Sequence, residues 1–194
     1  MHINYQHILL LLVTATLLLT ACDDDDQPAN NPVEITPAEP NTVTFSFGDE
    51  DVTFTETEIE GSALVDEANP NQVQKLVISA ERTPENQDGY ALCIEINDTN
   101  VQPDTYPVQR DSANGAARLL MIEVDAQQQQ LTSFTPTGDG TLNLETFNSS
   151  TNTVTGNFIS DFQNDAQTIL DVTGAFNLTV FETDGFEDTG NCAL

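Results

Sequence analysis

The sequence is poor in basic side chains. Lysine and arginine together number 4, against 32 aspartates and glutamates, and the formal net charge is −28. The four basic residues are Lys75, Arg82, Arg110 and Arg118. A protein that binds nucleic acid neutralises phosphates with lysine and arginine. This charge balance therefore excludes nucleic acid and anionic membrane surfaces as partners of a basic patch.

Histidine and tryptophan are equally scarce. The two histidines are His2 and His7, both inside the apolar leader described below, and the chain has no tryptophan. A chain without that leader has no Ser-His-Asp or Cys-His system and almost no means of building a zinc site. A Ser-Lys pair would need Lys75, which we expect to face solvent from the middle of a strand. We therefore expect a non-enzymatic protein, with a hydrolase that uses two carboxylates as an alternative.

Helical periodicity is also lacking, and apolar residues alternate with polar ones from residue 42 onward. The clearest alternating runs are Val43 to Phe47, Leu92 to Ile96, and Leu170 to Val180. Turn signals such as Gly48-Asp49 and Asp88-Gly89 separate them. This pattern predicts an all-β domain over residues 42–194, built as a single antiparallel β-sandwich of roughly eight to eleven strands.

An apolar leader precedes this region. The run from Ile8 to Leu19 has the length of a signal-peptide core and is shorter than the roughly 20 residues that a membrane-spanning helix needs. It ends in Leu19, Thr20, Ala21 and Cys22, which resembles a bacterial lipobox. The resemblance implies that residues 1–21 are a lipoprotein signal peptide. It also implies that Cys22 becomes the acylated N-terminus, carrying fatty chains such as palmitate.

Four aspartates, Asp23, Asp24, Asp25 and Asp26, follow the cysteine. An acidic run at this place resembles the export signal of surface lipoproteins in Bacteroidota. It implies a lipid-anchored protein of the outer membrane that is exposed at the cell surface. The periplasmic face and a simple charged spacer are the alternatives. Residues 22–41 are rich in proline and poor in large apolar side chains, so we expect a flexible tether.

Three motifs in the last third of the chain resemble a family of Bacteroidota cell-surface lipoproteins of unknown function. Gly140–Leu144 has the form G-x-L-x-L, and Val154–Phe158 and Val172–Phe176 both have the form V-x-G-x-F. Asp104-Thr105-Tyr106 stands where such proteins have Gly-Thr-Tyr. The resemblance implies a secreted β-sandwich and assigns no catalytic or binding residue. Glycine within a strand allows a close approach of neighbouring groups.

Clustered carboxylates raise the question of calcium. Asp184, Glu187 and Asp188 lie in a glycine-containing loop of the kind that supplies oxygen ligands, although the spacing is not that of a twelve-residue calcium loop. Further candidates are the runs Asp49 to Asp51 and Asn97-Asp98. A solvated acidic surface suited to a saline habitat, or a partner-specific surface, explains the same charges. We expect no other cofactor.

Two cysteines, Cys93 and Cys192, are left once Cys22 is acylated. An even pair in an oxidising compartment favours a disulfide. Because strand residues alternate, Cys93 and Glu95 should face away from the core side that holds Leu92 and Ile94. A C-terminal segment that crosses this face would bring Cys192 to Cys93. A buried, reduced Cys93 is the alternative.

The function that these observations favour is a lipid-anchored, extracytoplasmic module that binds a ligand or has a structural role, without catalysis. Its partners would be the membrane, through the anchor, and a protein, glycan or ion held by loops at one end of the sandwich. Alternatives are a calcium-binding adhesin, a glycan-binding accessory protein, an envelope protein without a specific ligand, and the carboxylate-dependent hydrolase.

Overall fold

The computed structural model describes residues 35–66, 69–82, 88–111, 113–126, 130–148 and 150–179. Within these ranges the chain forms one short 3-10 helix, Glu56–Glu58, and eleven strands. The strands are β1 (Thr42–Phe47), β2 (Glu50–Thr55), β3 (Ile59–Asp66), β4 (Asn69–Arg82), β5 (Gly89–Asn97), β6 (Asp104–Gln109), β7 (Ala116–Asp125), β8 (Gln130–Pro136), β9 (Gly140–Asn148), β10 (Thr153–Gln163) and β11 (Ile169–Leu178). The predicted all-β class is confirmed. In the described part of the chain no helix is long and apolar enough to cross a membrane.

The strands form one mixed sheet in the order β2-β1-β11-β10-β9-β6-β7-β5-β4-β3, and β8 pairs with both β7 and β10. One pair departs from the predicted antiparallel arrangement. In β6 and β7, Val108 pairs with Ala117 and Gln109 with Arg118 in parallel. Gly115, directly before β7, has a φ of 74°. Alternation of side chains records which residues face inward and carries no information on strand direction.

The sheet curves over itself, so that distant strands face each other as in a sandwich. The rings of Phe45 in β1 and Tyr90 in β5 lie 6.3 Å apart, although five strands separate β1 from β5 in the sheet. Nearby, the Arg82 guanidinium of β4 donates to the Thr53 carbonyl of β2 at 3.1 Å. It also lies 5.8 Å from the centre of the Phe54 ring.

The core lies between the facing parts of the sheet. Its large, fully buried side chains come from both halves and include Phe45, Phe54, Ile78, Leu92, Ile94, Leu119, Phe158 and Phe176. In β1 and β10 the buried positions alternate with partly exposed ones. Burial of this apolar surface is the main favourable contribution to folding, at about 25 cal/mol per Å².

The two V-x-G-x-F motifs are cross-strand partners. In the β10–β11 pair, Gly156 lies opposite Phe176, and Phe158 lies opposite Gly174. A Cβ atom on Gly156 would come closer than 3.0 Å to the Phe176 ring, and one on Gly174 equally close to the Phe158 ring. Each glycine therefore makes room for the phenyl ring of the other motif. The recurrence of the motif follows from this reciprocal packing.

Tyr106 anchors the loop before β6. Its buried hydroxyl donates to the Gln102 carbonyl at 2.8 Å and accepts from the Gln102 amide at 3.2 Å. This contact with the backbone four residues upstream is similar to the tyrosine corner of other β-sandwiches. The Asp104 side chain accepts from the Thr105 amide at 2.7 Å.

The described part of the expected tether, residues 35–41, lies against β10 and β11. The Ala38 carbonyl accepts from the Asn177 side chain at 3.2 Å, and the Asn41 side chain accepts from the Thr179 amide at 2.9 Å. Ile35 and Pro37 line a cavity of about 110 Å³. The chain is thus hydrogen-bonded to the sheet before β1 begins.

Candidate functional site

A groove of about 560 Å³ lies where β4 begins and β5 ends. The lining residues come from β3, β4, the end of β5, the loop after β5 and the loop before β7. They are Leu64, Gln72, Gln74, Lys75, Asn97, Asp98, Thr99, Ala113 and Asn114. Four of these nine are asparagine or glutamine, whose amides donate and accept hydrogen bonds at once. The groove is therefore equipped for a polar ligand.

Backbone hydrogen bonds hold the walls of the groove. The Asp98 amide donates to the Gln74 carbonyl at 3.1 Å, and the Gly115 amide donates to the Asn97 carbonyl at 2.7 Å. The Asp98 carboxylate accepts from the Thr99 hydroxyl at 3.1 Å and from the Asn100 amide at 3.3 Å. The Gln72 side chain also donates to the Thr99 carbonyl. These bonds fix the loop after β5 to β4, so the groove is formed before a ligand arrives.

A buried carboxylate stands behind the groove. Glu95 of β5 is only 4% exposed, and its oxygens lie 3.3 Å from the Lys75 ammonium and 3.9 Å from the Arg118 guanidinium. The Asn97 side chain donates to it at 2.7 Å. A buried charge is tolerated when it is paired and hydrogen-bonded in this way. Glu95 thereby orients two of the side chains that line the groove.

The expectation for Lys75 was wrong. We expected its side chain to face solvent, but it is only 20% exposed and pairs with Glu95. Lys75 lies in the middle of a strand, as expected, but on an outer face whose burial was not visible in the sequence. The groove itself was also missed. Its only sequence signal is the concentration of side-chain amides at Gln72, Gln74 and Asn97, close to strand ends.

A cluster of carboxylates lies at the other end of β5, about 23 Å from Asn97 along the strand. The Tyr90 hydroxyl donates to Glu50, and burial, followed by the Glu50 carboxylate, raises the pKa of Tyr90. Burial also raises the pKa of Glu123, with further contributions from the charges of Glu50, Asp88 and Asp125. The Asp88 carboxylate accepts from the Ala126 amide at 3.1 Å. The neighbouring acidic residues thus disfavour the charged form of Glu123.

A second carboxylate pair joins β10 to β11. Asp161 and Asp171 are cross-strand partners. Burial raises the pKa of Asp161, and the hydrogen bond to Asp171, the charge of Asp171 and the charge of Asp139 add to the effect. One proton shared between two facing carboxyl groups relieves their repulsion.

The predicted calcium ligands are only partly described. In the run Asp49 to Asp51, two carboxylates bind different partners, since Asp51 accepts from the Ser46 hydroxyl and Glu50 from Tyr90. Asp184, Glu187 and Asp188 lie outside the described residues. In the ranges that the structure describes, no three acidic or cysteine side chains are grouped so that they could hold a metal ion. Calcium binding stays a prediction.

The predicted anchor and export residues also lie outside the described residues. They are Leu19, Thr20, Ala21, Cys22, Asp23, Asp24, Asp25 and Asp26. Of the predicted disulfide, Cys93 is described and is disulfide-bonded, whereas Cys192 is not described. The pairing of Cys93 with Cys192 therefore stays a prediction.

No protein-family model matches this chain, and no curated protein or solved structure matches it either.

Proposed function

We propose that the chain is a lipid-anchored, non-catalytic binding module of the cell envelope, and that the groove at the end of β5 is its ligand surface. The observation that carries the proposal is the groove itself, about 560 Å³ in volume and lined by four side-chain amides, a carboxylate and a lysine. Convergent polar groups on a preformed concave surface are typical of ligand sites.

The ligand that fits this surface best is uncharged and rich in hydroxyl groups, as a glycan is. The Asn114 amide can donate to hydroxyl groups and accept from them, and the Asp98 carboxylate accepts from them. An anionic ligand would be repelled by a chain with a net charge of −28. The groove also includes Leu64, which is 39% exposed and offers an apolar contact for a sugar ring.

The anchor follows from the lipobox resemblance at Leu19 to Cys22, with acylation of Cys22. The disulfide at Cys93 supports an oxidising compartment, because disulfides persist outside the cytosol. The acidic run Asp23 to Asp26 and the resemblance to Bacteroidota lipoproteins favour the outer membrane and the cell surface, with the periplasmic face as the alternative.

The experiment is a glycan-array screen of the full-length protein, followed by groove variants. We expect binding of a neutral glycan, and a drop in affinity of about tenfold or more when Thr99→Ala and Asn114→Ala are combined, because each truncation removes a hydrogen-bonding group worth about 1 kcal/mol. Thr53→Ala is the matched control, since Thr53 is exposed on β2 and outside the groove.

An array without signal, or a double variant that binds as tightly as the wild type, contradicts the proposal. Titration with calcium chloride separates the calcium-binding alternative. A rise in melting temperature with calcium, in a protein that is silent on the array, would favour that alternative over the glycan.

A further inference from the structure

Strand β5 is buried on both faces. Leu92, Ile94 and Ile96 face the core, and the residues between them face outward. Cys93 and Glu95, on the outward side, are nevertheless 4% exposed each. A strand with one face in water would show an exposed side chain at every second position. The outer face of β4, β5 and β7 is therefore covered.

A small apolar cluster lies at the centre of this outer face. Val77, Cys93 and Leu120 form a group of buried residues separate from the main core. Leu120 of β7 lies opposite Cys93 of β5, and Ser79 of β4 lies opposite Cys93 on its other side. Lys75, Glu95 and Arg118 border the cluster and carry a net charge of +1. The face thus combines an apolar centre with two of the four basic residues of the chain.

Cys93, on the covered face, is disulfide-bonded. The segment that carries the partner cysteine must therefore reach this face. The chain has three cysteines, so the other sulfur belongs to Cys22 or Cys192. The lipobox resemblance assigns the Cys22 sulfur to a thioether with diacylglycerol, and a thioether sulfur forms no disulfide. Cys192 is then the remaining partner within the chain.

We infer that residues 180–194 cover the outer face of β4, β5 and β7, and that a disulfide between Cys192 and Cys93 fastens them there. Thirteen residues lead from Thr179, the last described residue, to Cys192. An extended chain of this length reaches about 43 Å. Five strand spacings separate β11 from β5 in the sheet, about 24 Å at the usual spacing.

The composition of this segment matches the face. Its apolar residues suit the cluster at Val77, Cys93 and Leu120, and its acidic residues suit Lys75 and Arg118. The apolar ones are Val180, Phe181, Phe186, Ala193 and Leu194, and the acidic ones are Glu182, Asp184, Glu187 and Asp188. The carboxylates considered above as calcium ligands thereby gain a second role, as partners of the basic residues beside Glu95.

The first test is a proteolytic digest of the unreduced full-length protein, analysed by mass spectrometry. We expect one disulfide-linked pair of peptides, which contains Cys93 and Cys192. A link from Cys93 to Cys22 or to a second chain overturns the inference, and so does alkylation of Cys93 and Cys192 without reductant.

The second test asks whether the segment covers the face. A protease that cleaves after glutamate is applied to the oxidised and the reduced full-length protein. We expect cleavage after Glu187 to accelerate at least tenfold on reduction, and cleavage after Glu145, inside β9, to stay slow. The variant Cys93→Ser without reductant should behave as the reduced wild type does. Cleavage that rises equally at both sites, or at neither, contradicts the inference.

Opening the disulfide should also lower the melting temperature. The bond closes a loop of about 100 residues, and its loss corresponds to a fall of about 10 °C for a domain of this size in the chain-entropy description. Cys22→Ser is the matched control, because it removes a cysteine without touching the bond. An equal melting temperature for Cys93→Ser and Cys22→Ser contradicts the inference.

Discussion

In β10 and β11, the glycine and phenylalanine of each V-x-G-x-F motif pack against those of the other motif. Gly156 and Gly174 each stand opposite the phenylalanine of the other motif. In the sequence, the glycines predict places of close approach. The approaching group could not be predicted, because the register of two strands is decided by their whole length and by the turn between them. The reciprocal pairing of glycine with Phe176 and Phe158 emerges only in the assembled sheet.

This packing predicts the effect of Gly174→Ala. A Cβ at this position would meet the Phe158 ring and the Thr44 carbonyl at less than 3.0 Å. We expect the free energy of unfolding to fall by about 1–3 kcal/mol, as in other overpacked cores. Urea denaturation of Gly174→Ala and of the control Thr173→Ala measures the loss.

A double-mutant cycle identifies the cause. Phe158→Leu replaces the ring that the new Cβ would meet with a smaller side chain. The double variant should therefore lose less free energy of unfolding than the two single variants lose in sum. Strict additivity, or full stability of Gly174→Ala alone, would contradict the packing described for this pair.

At the scale of whole elements, the inward face of β5 could be predicted from the sequence and the burial of its outward face could not. The alternation of Leu92, Ile94 and Ile96 predicted the inward face of the strand, and these residues are in the core. The burial of Glu95 was not predicted, because it depends on what lies over the outer face. The parallel pairing of β6 with β7 was not predicted either, since it depends on the path of the connection through Gly115.

The carboxylates at the ends of these elements predict an unusual pH dependence. The pKa of Glu123 on β7 and that of Asp161 on β10 are raised, first of all by burial. A raised pKa means that the folded state binds the proton more tightly than the unfolded state does. The stability from these groups is therefore fully present below the unfolded pKa and is lost as pH rises through the folded pKa.

We accordingly expect the melting temperature to rise as the pH falls from 7 toward about 4, the ordinary range of a carboxyl pKa. Glu123→Gln should raise the melting temperature at pH 7 and flatten its dependence on pH. Glu60→Gln, an exposed position on β3, is the control. Differential scanning calorimetry across this pH range gives the comparison, and a variant whose slope equals that of the wild type would contradict the explanation.

At the scale of the whole molecule, the sequence predicted the all-β class and most of the core, because apolar alternation reports directly on burial. The candidate site was out of reach for a physical reason. The groove consists of Gln74 on one strand, Asn97 at the end of another and Asn114 in a loop, which chain folding brings together from 40 residues of sequence. Neither periodicity nor a motif connects them.

The proposed function requires that a lipid anchor at Cys22 hold this sheet protein at the membrane. The most direct test is metabolic labelling of cells with a palmitate analogue, followed by recovery of the full-length protein. We expect a labelled wild type, an unlabelled Cys22→Ala and a fully labelled Cys93→Ser, because the proposal assigns the acyl chains to Cys22 alone. An unlabelled wild type, or a label that persists in Cys22→Ala, would contradict the lipid anchor and with it the proposed place of this protein in the envelope.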